Sequence, residues 1–172
     1  LFLNNGYNEF QEIKLMDNNT LLTSLTATDL DGDGDKDFLG NQTFGLYWYK
    51  NNNTAPPDIL QLPYSTIESA HWVHLGDLNS DGTEDILAYS TGLFNNELAW
   101  SPNDGSGTFS HVRIMHNPQI FAQTFEISDL DRDNDNDIII PMNRQIVWLE
   151  NDGNENFQLD TLIFSNGIEF NS

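Results

Sequence analysis

Cysteine is absent from this chain of 172 residues, which excludes disulfides, thiol catalysis and Cys-ligated zinc or iron–sulfur centres. Basic residues are also scarce, because 6 Lys and Arg side chains stand against 27 Asp and Glu, for a formal net charge of −21. A surface this acidic repels nucleic-acid phosphates and anionic membranes. No run of 18 apolar residues is present, so we predict no membrane-spanning helix. These absences favour a globular protein that binds neither nucleic acid nor membrane.

The acidic residues that are present cluster in three segments that align without gaps. The three loops begin at Asp29, Asp77 and Asp129, so their starts are 48 and 52 residues apart. Each loop has the pattern D-x-[DN]-x-D-[GN]-x-x-D, and each is followed by a tryptophan, at Trp48, Trp100 and Trp148. The chain is therefore built on an internal repeat of about fifty residues.

Hydrophobic periodicity predicts four short strands in each repeat. Apolar residues alternate with polar ones before the loop, a compact apolar run follows it, and the tryptophan segment forms a third strand. An Asn-Asp-Gly sequence then predicts a tight hairpin into an alternating fourth strand. Four strands at this period predict an all-β fold of β-propeller blades, each a sheet of four antiparallel strands.

This reading divides the chain into about three full blades, with partial blades at both ends. We predict a partial blade over residues 1–20, blades over 21–67, 68–118 and 119–165, and the start of a next blade over 166–172. Closed propellers hold roughly four to eight blades. We therefore expect the chain to be a segment of a longer propeller.

The acidic loops have the ligand chemistry of calcium sites. Calcium takes about six to eight oxygen ligands, and alternating acids in a tightly turned loop supply them. Side chains at positions one, three and five, the backbone carbonyl at seven and the carboxylate at nine are the predicted ligands, and Gly or Asn at six permits a positive φ. The predicted ligand residues are Asp29, Asp31, Asp33, Asp35, Asp37, Asp77, Asn79, Asp81, Thr83, Asp85, Asp129, Asp131, Asp133, Asp135 and Asp137.

We therefore expect three Ca²⁺ ions, with the second loop binding more weakly because Asn79 is neutral. An EF-hand is excluded, since its bidentate Glu at position twelve is replaced here by Gly40, Ala88 or Ile140. Magnesium fits less well because it prefers few protein ligands and several waters. Solvated acidic turns are the remaining alternative, but so many neighbouring carboxylates repel one another unless a cation neutralises them.

The loop motif, its strand flanks and the Trp-x-x-Asn-Asp-Gly segment resemble the FG-GAP/VCBS repeat family of calcium-binding β-propellers. The same loop type lies on the propeller blades of integrin α-subunits. The resemblance implies a secreted or cell-surface, calcium-loaded and non-catalytic module for cell adhesion, recognition or scaffolding, with a protein or glycan as ligand. Two alternatives stay open: a self-assembling protein of an extracellular fibre or surface coat, and part of a propeller-type polysaccharide lyase. The six basic residues do not cluster in sequence, which disfavours the lyase.

Several other residues carry expectations. The three tryptophans share one repeat position, which predicts a place in the core between blades. Tyr47, Tyr49 and Trp72 do not recur and are candidates for stacking on sugars. His74 is expected to line the propeller channel. Sequons begin at Asn18, Asn41 and Asn52.

Overall fold

The computed structural model describes residues 2–4, 6–7, 9–12, 22–42, 45–52, 57–62, 70–91, 96–110, 112–116, 124–142 and 145–163. Every regular element among them is a β-strand, and none is a helix of the length and apolar character needed to cross a membrane. The strands are β1 (Phe2–Asn4), β2 (Phe10–Glu12), β3 (Leu22–Thr28), β4 (Asp37–Gln42), β5 (Gly45–Lys50), β6 (Asp58–Gln61), β7 (Ala70–Gly76), β8 (Asp85–Thr91), β9 (Asn96–Ser101), β10 (Val112–His116), β11 (Glu126–Ser128), β12 (Asp137–Met142), β13 (Gln145–Asn151) and β14 (Phe157–Ile163).

Twelve of these strands form three four-stranded antiparallel sheets, each ordered as in the sequence. We name them blade 1 (β3–β6), blade 2 (β7–β10) and blade 3 (β11–β14). Strands β1 and β2 form a separate antiparallel pair in the segment expected to be a partial blade. The predicted all-β fold of four-stranded blades is thus confirmed. The predicted blade boundaries near residues 20, 67, 118 and 165 lie outside the described residues.

Each acidic loop connects the first and second strands of a blade. The pairs Thr28↔Asp37, Gly76↔Asp85 and Ser128↔Asp137 close the three loops. Because the blades share one topology, the loops lie at equivalent ends of the three sheets.

The hydrophobic core lies between neighbouring blades. One cluster joins Leu39 and Trp48 of blade 1 to Ile86 and Ala88 of blade 2. A second cluster joins blade 2 to blade 3 in the same way. Trp48 meets Phe109 of the next blade edge-on at 6.0 Å between ring centroids, and Trp100 meets Phe157 at 5.6 Å. Trp48 and Trp100 therefore occupy the predicted position between blades, whereas Trp148 is only partly buried.

The predicted hairpin after the tryptophan strand is present in blades 2 and 3, with positive φ at Gly105 and Gly153, but its turn is wider than the tight turn expected. The pairs Asn103↔Phe109 and Asn151↔Phe157 enclose five-residue turns. In the first turn, Asp104 Oδ1 accepts hydrogen bonds from the amides of Ser106 and Thr108. The aspartate side chain stabilises this wider turn because its oxygen accepts hydrogen bonds from two of the turn's own amides.

Candidate metal centre

The three acidic loops share one pattern of side-chain to backbone hydrogen bonds. The position-six amide donates to the position-one carboxylate, with N–O distances of 2.9, 2.9 and 3.2 Å in the three loops. The position-seven amide donates to the position-five carboxylate at 2.9, 2.8 and 2.9 Å. These bonds wind the backbone around its own acids. The alternating carboxylates are therefore held toward the inside of each loop, as a cation site requires.

Positive φ angles make this tight winding possible. Position six has φ of 92° at Gly34, 88° at Gly82 and 80° at Asn134, as the sequence predicts. Position four is also left-handed, and there the second and third loops carry Ser80 and Arg132, with φ of 60° and 70°. Sequence reasoning missed position four because Ser and Arg rarely adopt this conformation. The loop geometry thus holds two residues against their backbone preference.

The position-nine aspartates anchor the loops to the blades. Asp37, Asp85 and Asp137 are all fully buried. One oxygen of each aspartate accepts a hydrogen bond from the backbone amide at position two, at 3.2, 3.0 and 2.9 Å. The other oxygen accepts one from the backbone amide of an asparagine at or just after the end of the third strand, at 2.8, 2.9 and 2.9 Å. Burial raises the pKa of Asp37 and Asp85 above 3.8 although these hydrogen bonds oppose the shift. A cation beside these carboxylates would favour their charged form.

Carboxylates from different loop positions converge in the first and third loops. One oxygen from each of Asp29, Asp31 and Asp37 lies within 4.8 Å of the other two. The third loop brings Asp129, Asp131 and Asp133 together within the same limit. Burial, with the charge of Asp133 adding to it, raises the pKa of Asp131 above 3.8. Two of the three loops therefore concentrate negative charge in a small volume.

The second loop is arranged around hydrogen bonds. The Asp81 amide donates to Asp77 Oδ1 at 3.1 Å and to Asn79 Oδ1 at 3.2 Å. Burial acts to raise the pKa of Asp81, but hydrogen bonds from Thr83 and Asn79 outweigh it and hold the pKa below 3.8. Metal contact stays a prediction at all fifteen residues, and nine of them lie outside the two converging groups: Asp33, Asp35, Asp77, Asn79, Asp81, Thr83, Asp85, Asp135 and Asp137.

The first loop passes a test of fit to a cation. Asp29 Oδ1 is buried and has no hydrogen-bond partner within the described part of the chain. A buried carboxylate oxygen without a donor is costly unless a cation satisfies it. The neighbouring donors are all hard anionic oxygens, the type that calcium binds. Asp29, Asp31 and Asp37 therefore fit a calcium ion by their chemistry.

Lys50 is a residue that sequence reasoning missed in this loop. Its ammonium group forms an ion pair with Asp31 Oδ2, and it also stands over the Trp48 ring at 5.5 Å from the centroid. The hydrogen bond to Asp31 raises the pKa of Lys50 above 10.5. The sequence distinguishes Lys50 only by its repeat position, two residues after Trp48, where the other repeats have Pro102 and Glu150.

Two asparagines, one in blade 2 and one in blade 3, each connect their blade to the acidic loop of the preceding blade. Asn103 Nδ2 donates to the Leu30 carbonyl at 2.9 Å, and Asn151 Nδ2 donates to the Leu78 carbonyl at 2.7 Å. Both side chains are buried, and their own amides bind the position-nine aspartate of their blade. Sequence reasoning treated these asparagines only as turn residues. In the structure they join the acidic loops of adjacent blades through buried hydrogen bonds.

The remaining predicted residues have different outcomes. Tyr49 is only 1% exposed, so sugar stacking on its ring is excluded. Trp72 is half-buried and packs on Tyr89 at 5.8 Å between centroids. His74 is half-buried and packs on Phe125, with 4.6 Å between the ring centroids. Burial lowers the pKa of His74 below 6.5. Asn41 is buried at 2% exposure, which leaves no room for a glycan, and Asn18 lies outside the described residues.

Comparison with known proteins agrees with this geometry. Residues 29–88, which contain the first two loops, match the family model of the FG-GAP-like repeat. No curated protein matches the chain. A solved structure of an Agrocybe aegerita lectin, described for its specific recognition of non-reducing terminal N-acetylglucosamine, superposes with a TM-score of 0.61 at 17% identity.

That alignment covers 83% of this chain and 39% of the lectin, so the chain spans about two fifths of the lectin's length. At this identity the likeness shows the fold alone. The resemblance predicted from the loop motif is confirmed by the family match. The chain carries an FG-GAP-like repeat over residues 29–88, within an all-β array of propeller blades.

Proposed function

We propose that this chain is a calcium-stabilised β-propeller module that recognises a glycan or a protein outside the cell or at its surface. Two observations carry the proposal: one oxygen from each of Asp29, Asp31 and Asp37 lies within 4.8 Å of the other two, and the buried Asp29 Oδ1 has no hydrogen-bond partner among the described residues. The same loop occurs at the equivalent end of all three blades. We propose one Ca²⁺ ion for each loop, three in all.

Electrostatics supports a structural role for these ions. The three loop segments contain 14 of the 27 acidic residues in a chain that carries a net charge of −21. Calcium neutralises carboxylates that otherwise repel one another, and it holds the connection between the first and second strands of each blade. The fifteen loop residues predicted from the sequence supply the oxygens. Calcium acts here as a structural ion, and the module is non-catalytic.

The recognition role rests on the fold and on the repeat type. The FG-GAP-like repeat and the likeness to a sugar-binding lectin both support a blade array that displays a binding surface. A glycan with a terminal N-acetylamino sugar is the first ligand class to test, because that is what the lectin is described as recognising.

Two measurements test the proposal. Elemental analysis after desalting into calcium-free buffer is expected to find three calcium ions per chain. A glycan array probed in calcium, and again in chelator, is expected to show binding in calcium only. A folded protein with no bound calcium would overturn the metal sites. Release of unsaturated sugar products from a polysaccharide would support the lyase alternative instead.

Self-association is a second candidate function, favoured by an exposed apolar residue on blade 1. Leu25 is 50% exposed, whereas Val73 and Phe125 at the same repeat position pack in the cores between blades. A second copy covering this face would bury Leu25 as the preceding blade buries the other two. Light scattering across a concentration series is expected to show assembly that Leu25→Lys weakens; a monomer at all concentrations contradicts it.

A further inference from the structure

We propose that Lys50 is a tethered cation that competes with calcium for the first acidic loop and makes it a weaker metal site than the third loop. The inference rests on the proposed calcium binding. It assigns to Lys50 a role in setting metal affinity.

The geometry places the ammonium group against one member of the cluster of ligand candidates. Lys50 Nζ contacts Asp31 Oδ2, and Asp31 belongs to the converging group with Asp29 and Asp37. The Asp31 side chain is only 4% exposed, so water does little to screen its charge and a cation partner matters. A calcium ion on Asp31 Oδ2 must therefore displace the lysine, and one on Oδ1 binds a carboxylate whose charge the lysine already partly neutralises.

A second contact holds the lysine at this position. The ammonium group stands 5.5 Å from the centre of the Trp48 ring, within the range of a cation–π interaction. Trp48 is itself fixed by the core between blades 1 and 2, where it packs edge-on against Phe109. The lysine is thus positioned by a rigid part of the fold.

The other two loops have no lysine at this position. Pro102 occupies the equivalent place after the tryptophan of blade 2, and Glu150 occupies it in blade 3. The first and third loops have the same five aspartates, and simple charge counting would give them equal affinity for calcium. Lys50 distinguishes them because it neutralises one of the five in the first loop only.

The ion pair also has a consequence when calcium is scarce. A lysine on Asp31 partly neutralises the first loop, so this loop keeps its winding without metal better than the third loop does. The turn of blade 2 lies against this region, since a Cβ added at Gly107 would approach Trp48 and lie 3.3 Å from Asp31 Cβ. The junction of blades 1 and 2 is therefore expected to be weakened less by calcium removal than the junction of blades 2 and 3.

Lys50→Met tests the proposal, with Lys36→Met as the matched control. Lys36 is exposed at position eight of the same loop, and both changes remove one positive charge and keep a long apolar side chain. Calcium affinities of the chelator-stripped chain are measured by titration calorimetry. We expect one of the three sites to bind about tenfold tighter in Lys50→Met, because a charge-assisted hydrogen bond no longer opposes the metal. Lys36→Met is expected to change affinity by less than about twofold, since the charge of an exposed lysine is screened.

Thermal unfolding in chelator is a second measurement, in which Lys50→Met is expected to lose stability where calorimetry shows a gain in calcium affinity. Lys50→Met is expected to unfold at a lower temperature than Lys36→Met in chelator, and to lose this difference in saturating calcium. The affinity gain should also disappear in the Asp31→Asn background, where the lysine has no carboxylate to neutralise. If Lys50→Met fails to fold without metal, competition with a chelating dye from the calcium-loaded state supplies the same affinities.

The outcomes separate this inference from the function on which it rests. Three bound ions in the unmodified chain, with equal affinities in Lys50→Met and Lys36→Met, overturn the role of Lys50 alone. No calcium bound by any of the three proteins overturns the proposed metal sites and this inference together. A site that binds tighter in Lys50→Met, with no difference between Asp31→Asn and the double variant Asp31→Asn/Lys50→Met, supports both.

Discussion

The aspartate at position nine has two roles that can be separated at the residue scale. Asp85 is fully buried and accepts hydrogen bonds from the amides of Leu78 and Asn103 and from the Trp100 indole. It is also a predicted metal ligand. A carboxylate in this position therefore anchors the loop to the sheet whether or not a metal is bound.

Asp85→Ala is expected to destabilise the fold far more than Glu84→Ala. The first change strands three buried donors, each worth about 1–3 kcal/mol when unsatisfied. Glu84 is exposed, and its contact with Thr28 Oγ1 of blade 1 is a smaller loss, expected within about 1 kcal/mol. Urea unfolding in saturating calcium measures both. Similar losses of unfolding free energy in the two variants would show that Asp85 contributes no more to stability than Glu84 does.

His74 is expected to make stability fall at acidic pH. Burial lowers its pKa below the ordinary 6.5, against a weaker opposing effect of Glu126, so the unfolded chain binds this proton more readily than the folded one. Stability from the neutral imidazole is fully present above pH 6.5 and is lost as the pH falls through the folded pKa. Unfolding free energies between pH 7.5 and 5.5 in saturating calcium should fall less steeply for His74→Leu. An identical slope in both proteins would remove His74 as the cause.

At the scale of elements, the turn after each third strand ties a blade to the one before it. The asparagine that opens the turn donates to a loop carbonyl of the preceding blade, and Gly107 within the turn packs against Trp48. The asparagine contact occurs at both junctions, between blades 1 and 2 and between blades 2 and 3. The turn is therefore part of the contact between blades and not only a connection between strands.

Asn151→Ala is expected to weaken the junction of blades 2 and 3. The change leaves the buried Leu78 carbonyl without its donor, at a cost of about 1–3 kcal/mol. Asn154→Ala is the matched control, because Asn154 is exposed in the same turn and its side chain donates to the Asp152 carbonyl within that turn. Hydrogen exchange should show faster opening around Leu78 in Asn151→Ala alone. Equal protection in both variants would mean that the bond does not hold the blades together.

A pair of glycine substitutions tests the packing of the turn. Gly107 and Gly82 have similar positive φ angles, 80° and 88°, so alanine strains the backbone equally at both, by roughly 1 kcal/mol. A Cβ at Gly82 meets no atom within 4 Å, whereas one at Gly107 collides with the Trp48 ring. Gly107→Ala is therefore expected to cost about 1–3 kcal/mol more than Gly82→Ala in urea unfolding. Equal costs would show that the turn can move away from Trp48 freely.

At the scale of the whole molecule, sequence reasoning succeeded where the pattern is local. The period-two strands around Val73 and Ile127 and the left-handed turn at Gly34 follow from nearest neighbours, and the structure confirms them. The contacts of Asn103 and Lys50 were missed. Asn103 reaches a residue 73 positions away, and Lys50 reaches one 19 positions away. Such contacts depend on how sheets stack and how a strand returns past its own loop, which no local period encodes.

Removing calcium is expected to weaken the entire array together. Each ion that binds only the folded chain adds about 2.7 kcal/mol of stability when free calcium is a hundredfold above its Kd. The loops of neighbouring blades share buried hydrogen bonds and cores, so loss at one loop loosens the next. Unfolding in urea is therefore expected to shift to lower midpoints in chelator as one cooperative transition.

Sodium chloride and magnesium are the controls for this experiment. Much of the cost without calcium is repulsion within a chain of net charge −21, so salt that screens it should restore part of the lost stability. Magnesium should restore less than calcium at equal concentration, because it binds few protein oxygens and keeps its waters. A protein that unfolds at the same urea concentration in calcium, in magnesium and in chelator would contradict the structural role of the loops. Full restoration by sodium chloride alone would reduce that role to general charge screening.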